Sequence, residues 1–168
     1  MRSNALIYLN GEQRKIGAEH AGMMLADYLR YVLGQTGTKI VCAEGDCGAC
    51  TVLRFFPGFG KAKPVFLPVN ACIMPVAHLD GSSLVSVDAI GKENLTPVQK
   101  SLMEYHGSQC GFCTPGFIMA ITGLVEKKLS EKATAINAQD AKNSMTGNLC
   151  RCTGYQPIIE SAAALKLS

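Results

Sequence analysis

The stretch Val41–Thr51 reads VCAEGDCGACT and contains three of the eight cysteines in the chain. Cys42, Cys47 and Cys50 follow a C-x4-C-x2-C pattern, and Cys72 comes after 21 further residues. This is the plant-type ferredoxin spacing, in which four thiolates hold one [2Fe–2S] cluster. Glycines lie between the ligands and allow the tight turns that three ligands on one loop require. The stretch therefore predicts a [2Fe–2S] site formed by these four cysteines.

The residues on either side of this loop predict a small sheet with one helix packed on it. Asn4–Leu9 and Glu12–Ile16 are strand-like, and Asn10-Gly11 between them is a strong hairpin signal. Apolar residues at helical spacing predict a helix over Met23–Leu33. Further strands are predicted at Cys50–Phe56, Val65–Val69 and Leu84–Val87, with a hairpin tip at Phe59–Lys63. Pro68 inside one of these strands favours a sheet edge or a strand end.

The periodicity changes from strand to helix near residue 90. Thr96, Pro97 and Gln99 form a helix start with a capping box, and Gly107 is a natural stop. Further helices are predicted at Phe117–Leu129, at Ala138–Met145 and from Gln156 to about Leu165. Four helices of this length predict a small bundle. We therefore expect an α+β chain with two domains, residues 1–90 and residues 91–168.

The other four cysteines lie in two predicted turns of the bundle. Cys110 and Cys113 form a C-x2-C pair, and Cys150 and Cys152 form a C-x-C pair, with 36 residues between the pairs. Both pairs precede helix starts, where free N–H groups and partial positive charge favour an anionic cluster. The spacing by itself is also compatible with a zinc site with four cysteine ligands, so it leaves both kinds of site open.

Composition and charge exclude several classes of protein. The chain has 168 residues and a formal net charge of +3, with no Lys/Arg run that would indicate a nucleic-acid groove. No stretch of about 18 apolar residues predicts a membrane span. The first residues, MRSNALIYLNGEQ, do not resemble a secretory signal, which disfavours a disulfide framework. We expect a reducing compartment and a cytoplasmic location.

Four segments of the chain carry a resemblance to a known family. They are CAEGDCGACTVL, VNACIMPV, LTPVQKSLMEYHGSQCGFCTPGFIMA and GNLCRCTGYQPII. They resemble the iron–sulfur portion of the molybdenum hydroxylases, and in detail they are most similar to bacterial xanthine dehydrogenases. The resemblance covers nearly the whole chain. It implies a β-grasp ferredoxin-like domain followed by a four-helix bundle, each with one [2Fe–2S] cluster.

The resemblance also implies roles for individual residues. The first four cysteines match the ligands of an outer cluster nearer the flavin, and the second four match those of an inner cluster nearer the molybdenum cofactor. Gln109 matches a glutamine that hydrogen-bonds the pterin, and Cys152 matches the ligand closest to the pterin amino group. On the residues alone, Gln109 is also open to a second interpretation, that of a turn residue that bonds its own backbone.

The function implied is electron transfer inside a larger enzyme. Electrons would pass from a molybdenum–pterin site through the two clusters to FAD, on partner subunits or fused domains, with NAD as the final acceptor. The chain contains no G-x-G-x-x-G fingerprint and no substrate site of its own. Two alternatives are open: a related hydroxylase that oxidises an aldehyde, another N-heterocycle or carbon monoxide, and a zinc-stabilised interaction module without a redox role.

Overall fold

The first half of the chain forms a five-stranded mixed sheet in the computed structural model, which describes residues 4–57 and 63–167. The strands are β1 (Ala5–Leu9), β2 (Glu12–Ile16), β3 (Thr51–Phe56), β4 (Val65–Asn70) and β5 (Ser83–Val85). Their order in the sheet is β2-β1-β5-β3-β4. β1 and β5 run parallel, and the other neighbours are antiparallel.

The hairpin between β1 and β2 is confirmed at the predicted turn. Asn10 and Gly11 both have positive φ, 56° and 83°, as the favoured two-residue hairpin turn requires. Leu9 is opposite Glu12, so the turn occupies these two residues alone. Local turn chemistry therefore determines the register of the first two strands.

The helix predicted over Met23–Leu33 is present but irregular. α1 spans Leu25–Asp27, and the chain continues through Tyr28–Val32 in a wider π-helical turn. Gly34, at φ 67°, lies two positions beyond the last helical residue. The helix buries Leu25 and Leu29 completely, so tertiary packing against the sheet holds a segment that is too short to be stable by itself.

The remaining strand predictions hold with small shifts at their ends. β4 lies at the edge of the sheet, as the presence of Pro68 in this strand predicted. Pro68 is opposite Leu53 of β3. β5 is shorter than the predicted Leu84–Val87, because Val87–Ala89 turns into a 3-10 helix. The hairpin tip predicted at Phe59–Lys63 lies almost wholly outside the described residues.

The second half of the chain contains the four predicted helices. They are α2 (Pro97–Glu104), α3 (Thr114–Ser130), α4 (Ala138–Ser144) and α5 (Gln156–Ala163). The predicted capping box is present at the start of α2: the Gln99 N–H donates to Thr96 Oγ1 at 3.2 Å, and the Thr96 N–H donates to Gln99 Oε1 at 2.8 Å. α3 begins three residues earlier than predicted, since Thr114 and Pro115 are already helical.

Two hydrophobic cores correspond to the two halves. One is built on the sheet and α1, and it includes Ile7, Leu29 and Leu84. The other lies among the helices and includes Phe117, Ile121 and Ile158. α3 also packs against β3 and β4, so the halves share an interface. The domain boundary at residue 90 stays a prediction. No helix of the described residues is both long and apolar enough to cross a membrane.

We expect Thr96→Ala to lower the free energy of unfolding by about 1 kcal/mol, because it removes the side-chain acceptor of the capping box. Urea unfolding followed by circular dichroism measures this. The matched control is Thr36→Ala, since Thr36 is exposed and its main-chain carbonyl, which the substitution keeps, accepts from Arg30. Equal destabilisation by the two substitutions would contradict the capping role.

Candidate iron–sulfur sites

The first set of cysteines is brought together by one loop and one strand pairing. The loop between α1 and β3 carries Cys42, Cys47 and Cys50. β4 runs antiparallel to β3 with Asn70 opposite Thr51, and so it returns Cys72 to the start of β3. The Cys72 thiol hydrogen-bonds the Cys50 thiol there. The structure thus places the four predicted residues in one region, although 29 residues separate the first of them from the last.

Main-chain N–H groups of the loop point at a sulfur. The N–H of Cys47 lies 3.5 Å from Cys42 Sγ. Hydrogen bonds from the backbone of Cys47, Glu44 and Asp46 and from the Cys47 thiol lower the pKa of Cys42 to about 6. Groups that stabilise a thiolate in this way also stabilise cluster sulfurs. The loop therefore has the donor arrangement that an anionic iron–sulfur cluster needs.

The pKa of Cys72 is shifted in the opposite direction, upward. Burial, then the hydrogen bond to Cys50 and the nearness of the Cys50 charge, raise the pKa of Cys72 to about 12. A thiol in this position ionises readily only when a bound metal supplies positive charge. The first site thus combines one easily formed thiolate with one thiol that needs a metal to ionise.

The second set of cysteines meets at one end of the helical half. Cys110 and Cys113 lie in the turn before α3, and Cys150 and Cys152 lie in the turn before α5. The side chains pair across these turns, Cys113 with Cys150 and Cys110 with Cys152. The geometry therefore joins the two predicted pairs into one group of four thiols.

The environment of this group also gives its thiols different pKa values. Burial, then hydrogen bonding to Cys150 and the charges of nearby thiols, raise the pKa of Cys113 to about 12. Burial also opposes ionisation of Cys150, but hydrogen bonds from Thr153, Cys152 and Cys113 outweigh it and lower its pKa. In this contacting pair Cys150 is thus the better anion and Cys113 its hydrogen donor.

A cavity of about 550 Å³ lies at the second site and extends to the loop of the first. All four cysteines of the second set line it, together with Cys47 of the first. Val41, Phe112 and Leu149 contribute exposed apolar side chains to the same region. Within the described part of the chain, no group of three or more His, Cys, Asp or Glu side chains is close enough together to hold one metal ion. The contacts between thiols come in pairs.

Gln109 lies on the surface beside the second group. Its side chain is exposed, as are those of Cys110 and Cys152. These three residues form the outward side of the group, whereas Cys150 is buried. A group that approached the protein here would meet Gln109, Cys110 and Cys152.

Sequence reasoning missed three residues that support the loops. The Cys150 N–H donates to Tyr155 Oη at 2.9 Å, and Thr153 Oγ1 donates to Cys150 Sγ at 3.2 Å. In the first site, Asn70 Nδ2 donates to the carbonyl oxygen of Gly45. Each of these residues lies within five positions of a cysteine. The polar residues of the motifs CRCTGYQP and VNAC were therefore the available signal.

Comparison with protein families gives a match for each half. A model described as "2Fe-2S iron-sulfur cluster binding domain" matches residues 7–77, and one described as "[2Fe-2S] binding domain" matches residues 86–163. The first contains Cys42, Cys47, Cys50 and Cys72, and the second contains the other four cysteines. The chain therefore consists of two 2Fe–2S binding domains.

Two curated relatives match nearly the whole chain. Xanthine dehydrogenase 1 of Arabidopsis thaliana is 44% identical over 161 residues, which is 95% of this chain. Aldehyde oxidase 1 of Bos taurus is 41% identical over 165 residues, also 95% of the chain. In each case the chain spans only 12% of the relative's length.

Solved structures share the same architecture. Quinoline 2-oxidoreductase from Pseudomonas putida 86 superposes with a TM-score of 0.77 at 32% identity, over 96% of this chain and 90% of the matched chain. Aldehyde oxidoreductase from Desulfovibrio gigas gives a TM-score of 0.77 at 32% identity, over 95% of this chain and 16% of its own. The arrangement of sheet, loops and helices is thus common to these oxidoreductases.

We expect Gly116→Ala to destabilise the protein by about 2 kcal/mol, although alanine favours a helix, because the added Cβ overlaps the Gly48 carbonyl oxygen. Gly123→Ala in the same helix is the matched control. Its Cβ would meet Leu53 Cδ2 at 2.9 Å, and that flexible side chain is able to shift. Urea unfolding of the two variants measures the difference, and equal stability would argue against close contact at Gly48.

Proposed function

Since the chain belongs to the iron–sulfur family of the molybdenum hydroxylases, we propose that it is the electron-transfer component of a xanthine dehydrogenase-like enzyme. Electrons enter from a molybdenum–pterin site, pass through two [2Fe–2S] centres on this chain and leave to FAD. The observation that carries the proposal is that each 2Fe–2S binding domain contains four free cysteines, with contacts between their thiols.

Each group has ligands suited to one cluster. Cys42, Cys47, Cys50 and Cys72 hold the first cluster, and Cys110, Cys113, Cys150 and Cys152 hold the second. When bound, a [2Fe–2S] cluster supplies one-electron transfer between its ferric and mixed-valence states. The protein supplies the thiolates, the N–H groups around Cys42 and the hydrogen bonds to Cys150 that favour the anionic form.

The exposed side of the second group is the proposed contact for the pterin. Gln109 presents an amide, which donates and accepts hydrogen bonds as a pterin ring requires. Cys152 lies beside it and would link the cluster to the pterin. Their exposure supports this assignment, since the pterin belongs to a partner and must reach the residues from outside.

The partners are a large molybdenum–pterin subunit and an FAD subunit, or equivalent fused domains. We place NAD as the final acceptor, as in the dehydrogenases. A cytoplasmic location fits this assignment, because eight cysteines that are to serve as thiolates need a reducing compartment. Xanthine dehydrogenases and aldehyde oxidases are almost equally similar to the chain, which supports an aldehyde as the alternative substrate. The similarity to quinoline 2-oxidoreductase supports another N-heterocycle. Carbon monoxide is a further alternative.

Iron, sulfide and zinc analysis of the purified chain tests the assignment directly. We expect a red-brown protein with iron and acid-labile sulfide for two clusters, and two EPR signals on reduction. A colourless protein with stoichiometric zinc would instead establish a structural metal module.

Cys47→Ala should remove one of these EPR signals and leave the other, because the two sites take their ligands from different loops. The reciprocal variant Cys113→Ala should remove the second signal and leave the first. EPR of the reduced proteins, with circular dichroism as a check of folding, measures both. Loss of both signals in a folded Cys47→Ala chain would contradict independent sites.

Gln109→Ala in the assembled enzyme should keep both clusters but slow their reduction by substrate. Removing the amide leaves polar groups of the pterin unpaired, at a cost of roughly 1–3 kcal/mol, and loosens the contact through which electrons arrive. Stopped-flow absorbance of the cluster band measures the rate. Gln139→Ala, a change at an exposed glutamine of α4, is the control. An unchanged rate, where reduction limits the signal, would mean that Gln109 is only a turn residue.

A further inference from the structure

The two cysteine loops contact each other directly through hydrogen bonds. The Leu149 N–H donates to the carbonyl oxygen of Cys47 at 2.9 Å. Next to it, Asn148 Nδ2 donates to the Gly48 carbonyl oxygen at 2.9 Å and to Thr51 Oγ1 at 3.2 Å. The turn that precedes Cys150 is therefore bonded to the loop of the first site.

Asn148 is buried at this junction, with only 6% of its surface exposed. Its amide donates to two acceptors on the other half of the protein, and those acceptors are bonded to each other, since Thr51 Oγ1 donates to the Gly48 oxygen at 2.6 Å. Buried polar groups require such partners. This set of hydrogen bonds is complete at one relative placement of the two loops, so Asn148 defines that placement.

Close packing at the junction leaves the loops little freedom. Gly48 has φ 68°, and a Cβ at this position would overlap the Gly147 carbonyl oxygen. On the other side, a Cβ at Gly116 would overlap the Gly48 carbonyl oxygen. The main chains of the two domains thus meet without intervening side chains, and Asn148 is the side chain that bridges them.

We propose that Asn148 is a positioning residue for electron transfer between the two iron–sulfur sites, an inference that rests on the proposed function. It holds the Cys47 carbonyl oxygen against the Leu149 N–H. Leu149 is bonded covalently to Cys150, so a path of covalent bonds with a single hydrogen bond connects a ligand of each site. Electrons tunnel better along such a path than across an open gap. The step moves one electron from the reduced centre to the oxidised one, and no bond forms or breaks.

The first test is hydrogen exchange on the full chain with its clusters bound. In Asn148→Ala the Leu149 amide should exchange about tenfold faster than in the unmodified protein, since its hydrogen bond loses the support of the bridging side chain. The matched control is Asn143→Ala, the same change at an exposed residue of α4, which should leave this amide unchanged.

The second test is the magnetic interaction between the two reduced centres. Dipolar coupling falls with the cube of the separation, so a looser junction reduces the splitting or broadening that each centre causes in the EPR signal of the other. We expect Asn148→Ala to keep both signals and lose part of this coupling. Asn143→Ala should retain it in full.

Thr51→Val provides a second variant if Asn148→Ala does not fold. It removes one acceptor of Asn148 at nearly constant shape, and it should change the amide exchange and the coupling in the same direction by a smaller amount. Unchanged exchange and coupling in the variant that folds would overturn the proposal, and so would loss of the second signal alone, which would make Asn148 a support for that site only. Failure of the proposed function is distinguishable, because the unmodified protein would then show no iron–sulfur signals at all.

Discussion

The acidity of the thiols is the constraint on which both sites depend. Each site brings four sulfurs together, and four neighbouring thiolates would repel one another in the absence of a cation. The protein does not favour ionisation of all the thiols equally. The pKa of Cys42 is lowered to about 6, whereas the pKa values of Cys72 and Cys113 are raised to about 12. A bound metal would supply the charge that ionises the buried thiols, so binding of a cluster by these cysteines would be coupled to the final packing of the loops.

The sheet and the helical bundle bring their cysteines together in different ways. In the first half, pairing of β3 with β4 returns Cys72 to the loop that carries the other three cysteines. In the second half, two turns before helix starts supply two cysteines each, and hydrogen bonds from Thr153 and to Tyr155 hold one of the turns. The Gly48 carbonyl oxygen then joins the halves, since it accepts from Thr51 and from Asn148.

Local patterns predicted most elements because their causes are local. Asn10-Gly11 favours one hairpin turn, Thr96 and Gln99 cap α2, and Pro68 is confined to an edge strand. The differences occur where tertiary contacts compete with these preferences. The segment predicted as a helix over Met23–Leu33 is partly π-helical, and this part buries Tyr28 and Leu29. β5 ends early because the chain turns into a 3-10 helix at Val87–Ala89.

The sequence by itself determined the two groups of cysteines, the strand and helix content and the resemblance to the molybdenum hydroxylases, because cluster spacing, turn residues and periodicity are properties of short segments. Only the tertiary structure decided which thiol pairs with which, which thiols are acidic and how the two sites lie relative to each other. Those properties depend on burial and on hydrogen bonds between residues far apart in the chain. Asn148 and Gly48, 100 positions apart, meet only when both domains have folded.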